Sequence, residues 1–151
     1  MRRYEIKRVV LSAAMGIVTS VTMHSMPVTA TPARAISIGA PVKLQTDNLP
    51  TPLGLDDPAP QFAWQLKDLR RGAHQSAYQL QVATRRELLA SGKPDVWDSG
   101  RITSDQSVGV SYKGTALSPT TRYFWRLLAW DQDGKPYPAS EISWWETGLM
   151  G

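Results

Sequence analysis

Cysteine is absent from the 151 residues. Disulfide staples, a lipid-carrying N-terminal cysteine and a thiolate metal centre are therefore excluded, and the fold must hold by its core alone. Histidine is scarce: His24 lies in the leader described below, and His74 is the only one outside it. One imidazole in a charged turn builds no metal cluster and is expected to be solvated. There is no glycine-rich phosphate loop, no internal repeat and no long helical pattern. No metal and no cofactor is expected.

What is present begins with an export pattern. Arg2, Arg3, Lys7 and Arg8 make a positive start, Val9 to Met23 is mostly apolar, and Ala33-Arg34-Ala35 supplies a small-x-small cleavage pattern. Residues 1–35 read as a signal peptide, with Ile36 the first mature residue. The apolar stretch falls short of the roughly 20 residues that span a bilayer, which argues against an anchor. Arg2-Arg3-Tyr4-Glu5-Ile6-Lys7 partly matches a twin-arginine signal. Glu5 stands where that pattern takes an apolar residue, which favours the general secretory route. The expected location is secreted or periplasmic, with no stable membrane insertion after cleavage.

The leader holds five basic residues and one acid, a net of four, and the whole chain carries a formal charge of +4. The rest is then near neutral, so the basic balance is no sign of a nucleic-acid partner. Taking 35 residues from 151 leaves 116, enough for one domain, and all six tryptophans lie in that part.

The stretch that organises this domain runs from Leu117 to Asp131. Pro119 fixes φ and removes a donor, which suits an approach to a strand and not its middle. From Tyr123 the side chains alternate. Tyr123, Trp125, Leu127 and Ala129 form an apolar face assigned to the core, and Arg122, Phe124, Arg126, Leu128 and Trp130 form the outer face. The spacing Leu117, Pro119, Thr121, Tyr123 matches a tyrosine corner, in which the phenol of a strand tyrosine bonds back to upstream backbone. A buried phenol needs a partner, and a corner turn has spare backbone groups.

Other strands are shorter. Residues 36–41 read as a linker. Pro41 to Asp47 is a plausible first strand with Val42, Leu44 and Thr46 on one side. Asn48 to Pro60, dense in proline, is loop. Gln61 to Leu66 points Phe62, Trp64 and Leu66 inward, and Gln75 to Thr84 points Tyr78, Leu80 and Val82 inward. Arg85 to Ala90 favours a short helical turn closed by Ser91-Gly92. Asp95 to Asp98, Gln106 to Tyr112 and Ile142 to Thr147 complete the strands, with Val108 and Val110 on one face. Asp131 to Lys135 is a hairpin-type turn. About seven short strands with no long helix predict an all-β, immunoglobulin-like or fibronectin type III-like β-sandwich over residues 42–151.

Several pieces, taken in order, resemble a known family. They are Pro52-Leu53-Gly54-Leu55-Asp56, Pro60-Gln61-Phe62-Ala63-Trp64-Gln65-Leu66, Gln75 to Ala83, Val96-Trp97-Asp98-Ser99-Gly100, the corner, Trp130-Asp131-Gln132-Asp133-Gly134 and Trp145-Glu146-Thr147-Gly148-Leu149. Together they resemble the N-terminal fibronectin-type module of bacterial α-L-rhamnosidases, glycoside hydrolase family 78. The resemblance covers Val42 to Gly151. It implies a large secreted enzyme with an (α/α)6-barrel further along, where a pair of carboxylic acids hydrolyses terminal rhamnose with inversion. Nothing in these residues matches that barrel. The resemblance therefore implies a fragment, a truncated gene product or an isolated first module, not itself catalytic. Its partners would be the following domains of the hydrolase or rhamnose-containing glycans. The alternative is a free-standing secreted module that binds carbohydrate or protein.

The residues themselves argue against catalysis. Inverting hydrolysis needs two carboxyl groups about 6.5–9.5 Å apart, one with a raised pKa. The acids here fall mostly in turns, where they cap backbone. Asp131 and Asp133 are close in sequence, but a hairpin tip is expected to be solvated. No catalytic residue is assigned. The candidate contact surface is Phe124, Leu128 and Trp130 with Trp145, or Trp144 beside it, from the last strand. Three readings of it stay open: contact with another domain, burial by local loops such as the proline-rich segment, and stacking against sugar, with Arg122 and Arg126 as hydrogen-bonders.

Overall fold

Strand alternation builds two antiparallel sheets whose inner faces share the aromatic side chains. The computed structural model describes residues 38–151, so the expected signal peptide lies outside the described residues. One sheet has three strands in the order β1 (Ile38–Thr46), β2 (Gln61–Asp68), β6 (Val110–Ser111). The other runs β4 (Trp97–Asp98), β3 (Gln75–Ala83), β7 (Arg122–Asp131), β8 (Ser143–Glu146), with β5 (Ile102–Thr103) also paired to β3. The single helix among the described residues is α1 (Arg86–Ala90), where the short helical turn is expected. Among the described residues the strands number eight, against about seven expected, because β5 is a separate two-residue strand.

The pairing of β3 with β7 is the longest, from Gln75 opposite Asp131 to Ala83 opposite Phe124. Facing residues on neighbouring strands share a face, so this register places Leu80 with Leu127 and Val82 with Trp125 in the core. Trp64, Tyr78, Leu80, Val82, Tyr123, Trp125 and Leu127 are all buried. Phe62 from the other sheet meets Trp125 at 4.6 Å and Trp145 at 5.6 Å between ring centroids. The corner forms: the Tyr123 hydroxyl accepts a hydrogen bond from the Ser118 N–H at 2.9 Å.

Three expectations are corrected. The first strand starts at Ile38, inside the segment expected as linker, since Ile38 and Gly39 pair with Asp68 and Lys67. Two register shifts follow, and Lys43 takes φ 51°, so Val42 faces solvent and Pro41 is buried instead. Val108 and Val110 do not share a face. Gly109, at φ 67°, turns the chain between them, leaving Val108 exposed and Val110 buried.

The proline-rich segment runs along the open edge of β8. Glu146 N–H donates to Pro52 O at 3.0 Å, Leu55 N–H to Glu146 O at 2.9 Å and Gly148 N–H to Leu55 O at 2.7 Å. An edge covered in this way offers no free ladder to another chain. Prolines elsewhere in the segment bring no N–H donor that would need a partner.

Candidate functional site

The outer face of the five-stranded sheet carries the candidate residues. Phe124, Leu128 and Trp130 alternate outward along β7 and are half-buried, as read from the sequence. Trp145 is not on this face: it is fully buried, stacked on Tyr123 at 5.3 Å. The register explains the correction. Tyr123 stands opposite Trp145 and Phe124 opposite Trp144, so the inward tyrosine takes Trp145 inward with it. Trp144 is the outward residue. Adjacent tryptophans point to opposite faces, and sequence pattern alone does not say which is which.

Each ring of this face lies against a guanidinium. Arg122 sits 4.1 Å from the Trp144 centroid, Arg101 4.5 Å from Trp130, and Arg86 of α1 5.7 Å from Phe124. The arginines expected to be available for sugar are engaged. Arg122 donates to Glu146 at 3.0 Å, and Arg126 Nε donates to the Gln81 side chain at 2.8 Å. Gln79 and Gln81 in turn donate to the two oxygens of Asp98. Burial would push that carboxyl up, but the two glutamine amides, the Gly100 N–H and nearby Arg126 outweigh it and hold the group below its ordinary range. The local covering thus comes from arginines and α1, while the proline-rich segment lies along β8.

Asp131 departs from expectation: it is buried, with the fully solvated hairpin tip beginning at Asp133. One carboxylate oxygen accepts the N–H groups of Asp133 and Lys135, which draws the side chain under its own turn. The other accepts from Arg70 at 2.8 Å. Arg70 also grips Asp68 at 2.6 Å, and Tyr137 donates to Asp68 at 2.9 Å. Asp68 belongs to one sheet and Asp131 to the other, so this cluster ties the two together. The charged turn between β2 and β3 had signalled nothing of the kind, because the partners are 61 residues apart.

The cluster places two carboxylates on one arginine, the reverse of what hydrolysis requires. The hydrogen bond from Arg70 holds Asp68 well below the usual carboxylate range, and lowers Asp131 as well, despite their burial. Neither can serve as a general acid near neutrality. Asp95 is likewise lowered, burial being outweighed by the hydrogen bonds from Thr84. Asp47, Asp56 and Asp57 accept backbone N–H groups of Gln61, Met150 and Ala59. His74 is exposed. Among the described residues no three His, Cys, Asp or Glu side chains come close enough to hold a metal ion.

A groove of about 490 Å³ lies between β1 and the start of β8. Val42, Lys43, Lys67, Arg86 and Trp144 are among its walls, and its one acid is Glu141. The sequence reading missed it, since its floor is the stretch taken as linker. Inverting hydrolysis protonates the leaving group and activates water on opposite faces of the sugar, which the single carboxyl group of this groove cannot do alone.

Two antiparallel sheets around a tryptophan-rich core, with a tyrosine corner at one end of the longest strand, define an immunoglobulin-like domain. Residues 41–151 match the family described as "Rha78A-like, N-terminal immunoglobulin domain", and the chain belongs to it. It is 51% identical over 100 residues to an α-L-rhamnosidase of Streptomyces avermitilis, covering 66% of this chain and 10% of that protein. It is 37% identical over 105 residues to an α-L-rhamnosidase of Formosa agariphila, covering 70% and 11%. Among solved structures, the α-L-rhamnosidase from Dictyoglumus thermophilum superposes with a TM-score of 0.73 at 35% identity, over 78% of this chain and 13% of that one. The Streptomyces avermitilis α-L-rhamnosidase complexed with L-rhamnose gives 0.71 at 46% identity, over 74% and 11%. The chain spans about a tenth of the length of the curated relatives it matches.

Proposed function

We propose that this chain is the non-catalytic first module of an exported α-L-rhamnosidase-like glycoside hydrolase, and that it docks on and spaces the domains that follow. The observation that carries the reading is the state of its acids. Asp68, Asp95, Asp98 and Asp131 are all held below their ordinary range, and Asp47, Asp56 and Asp57 are occupied accepting backbone N–H groups. A hydrolase needs one carboxyl group held above it. The match to the first domain of much longer rhamnosidases supports the rest. Export follows from the leader, residues 1–35, which would place the protein outside the cytoplasm.

An aryl rhamnoside assay on residues 36–151 is expected to show no turnover above the buffer blank. Turnover that one Asp or Glu substitution abolishes would overturn the reading. Reading the DNA past Gly151 tests the modular part: an open frame of several hundred further codons, or a frameshift into one, is expected. A genuine stop followed by unrelated sequence would favour a free-standing binding module, for which the groove beside Trp144 is the supporting feature. N-terminal sequencing of exported material is expected to begin at Ile36.

A further inference from the structure

The aromatic outer face is closed over by its own arginines, but one end of the sandwich is not. Leu53 is 65% exposed and Leu149 is 82% exposed. The two flank a single close contact: a Cβ on Gly148 would stand 2.9 Å from the Gly54 carbonyl oxygen and collide with the Asp56 carboxylate. Leu53 adjoins Gly54 and Leu149 adjoins Gly148, so the two exposed leucines lie on either side of this close backbone approach, Leu149 within two residues of Gly151.

This pole is rigid. Gly148 N–H donates to Leu55 O, and Thr120 N–H donates to Gly148 O at 2.8 Å. Met150 N–H donates to the Asp56 carboxylate at 2.9 Å. Thr120 itself takes φ 49°, costly for a β-branched residue and held there by the corner. Exposed leucines on a segment fastened by so many bonds have little freedom to fold back on the domain. An apolar surface held in place in this way is suited to a second body.

We propose that the pole presenting Leu53 and Leu149 is the docking surface for the polypeptide that follows Gly151, and that the pinned exit sets the angle between this module and the next domain. The proposal rests on the reading of the chain as a first module. The occupant is argued from length and position. The stretch matched in the relatives is only about a tenth of their length, and the exit lies within two residues of Leu149. A domain tethered there meets the patch at high effective concentration, so a small apolar contact is enough to hold it. Leu69, 77% exposed beside the Arg70 cluster, is far along the chain from the exit and serves as the control.

The test uses the full 151-residue chain continued by the polypeptide that follows the matching domain in the Streptomyces avermitilis enzyme. Limited subtilisin digestion reads how often the junction opens, because cleavage tracks the open population when closing is fast. The parent is expected to be cut slowly, L53S/L149S at least about tenfold faster, and L69S at the parental rate. A slow parent with an equally slow L53S/L149S would overturn the assignment of this surface and leave the module reading intact. Rapid cutting of all three would overturn the docking reading and this proposal with it. Circular dichroism of the 151-residue chain is expected to be unchanged by L53S/L149S. A lost β signal would also overturn the proposal, since the leucines would then be structural.

Discussion

Trp144 and Trp145 are chemically identical neighbours, and the structure gives them opposite fates. Truncating each in turn is therefore a sharp test of the β7–β8 register. Trp145 is fully buried and packs on Phe62, Tyr112 and Tyr123. Trp145→Ala removes that contact and leaves a cavity, which costs about 3–5 kcal/mol for an aromatic of this size. One term works against the full cost. The Trp145 indole N–H is buried without a hydrogen-bond partner, and deleting it relieves a penalty of about 1–3 kcal/mol. The expected loss is thus at the low end, about 3 kcal/mol. Trp145→Phe keeps most of the ring while dropping the unpaired donor, so a loss under about 1.5 kcal/mol is expected. Trp144→Ala gives up a half-exposed ring and its contact with Arg122, about 0.5–1 kcal/mol. Urea unfolding followed by far-ultraviolet circular dichroism measures all three, with midpoints compared at constant slope. A Trp144→Ala loss equal to or larger than that of Trp145→Ala would refute the register, and with it the assignment of the outer face.

Tyr123→Phe keeps the ring stacked on Trp145 but leaves the Ser118 N–H without its acceptor, so a loss of about 1–2 kcal/mol is expected in the same unfolding experiment. Asp68 and Asp131 titrate below their ordinary range in the folded chain. The unfolded chain therefore takes up their protons first as the pH falls, and the stability they add is present above about pH 4 and lost progressively below it. Arg70→Met removes this dependence and destabilises at neutral pH, with the gap to the parent narrowing in acid; a gap that widens in acid would contradict the assignment. Tyr137 is pushed up to about 12 by burial and by its bond to Asp68, so its contribution is complete below about pH 10 and fades between there and pH 12. Alkaline melts of Tyr137→Phe, expected to lack that fade, check the claim. Gly148→Ala forces a methyl against Asp56 and the Gly54 backbone, and a loss of about 1–3 kcal/mol is expected, read by thermal unfolding.

Local pattern determined a great deal of this protein. Alternation along β7 assigned Tyr123, Trp125, Leu127 and Ala129 to the core and Phe124, Leu128 and Trp130 to the outer face, because successive strand side chains must point opposite ways. The corner was legible from Leu117, Pro119, Thr121 and Tyr123, since its hydrogen bond spans only five residues. Tertiary structure decided what depends on pairing across long stretches of chain. The sequence carries no mark of whether Trp144 or Trp145 faces inward, because that depends on which residue of β7 each one meets. Bulges in β1 turned Val42 out and brought residues 38–41 into the sheet, and period-two counting loses its meaning past an inserted residue. Asp68 and Arg70 read as parts of one charged turn and Asp131 as part of a distant hairpin turn, and Tyr137 carried no signal of its own. They became one ionic tie between the sheets only when the sandwich closed, since a charge interaction follows distance in space and not order along the chain.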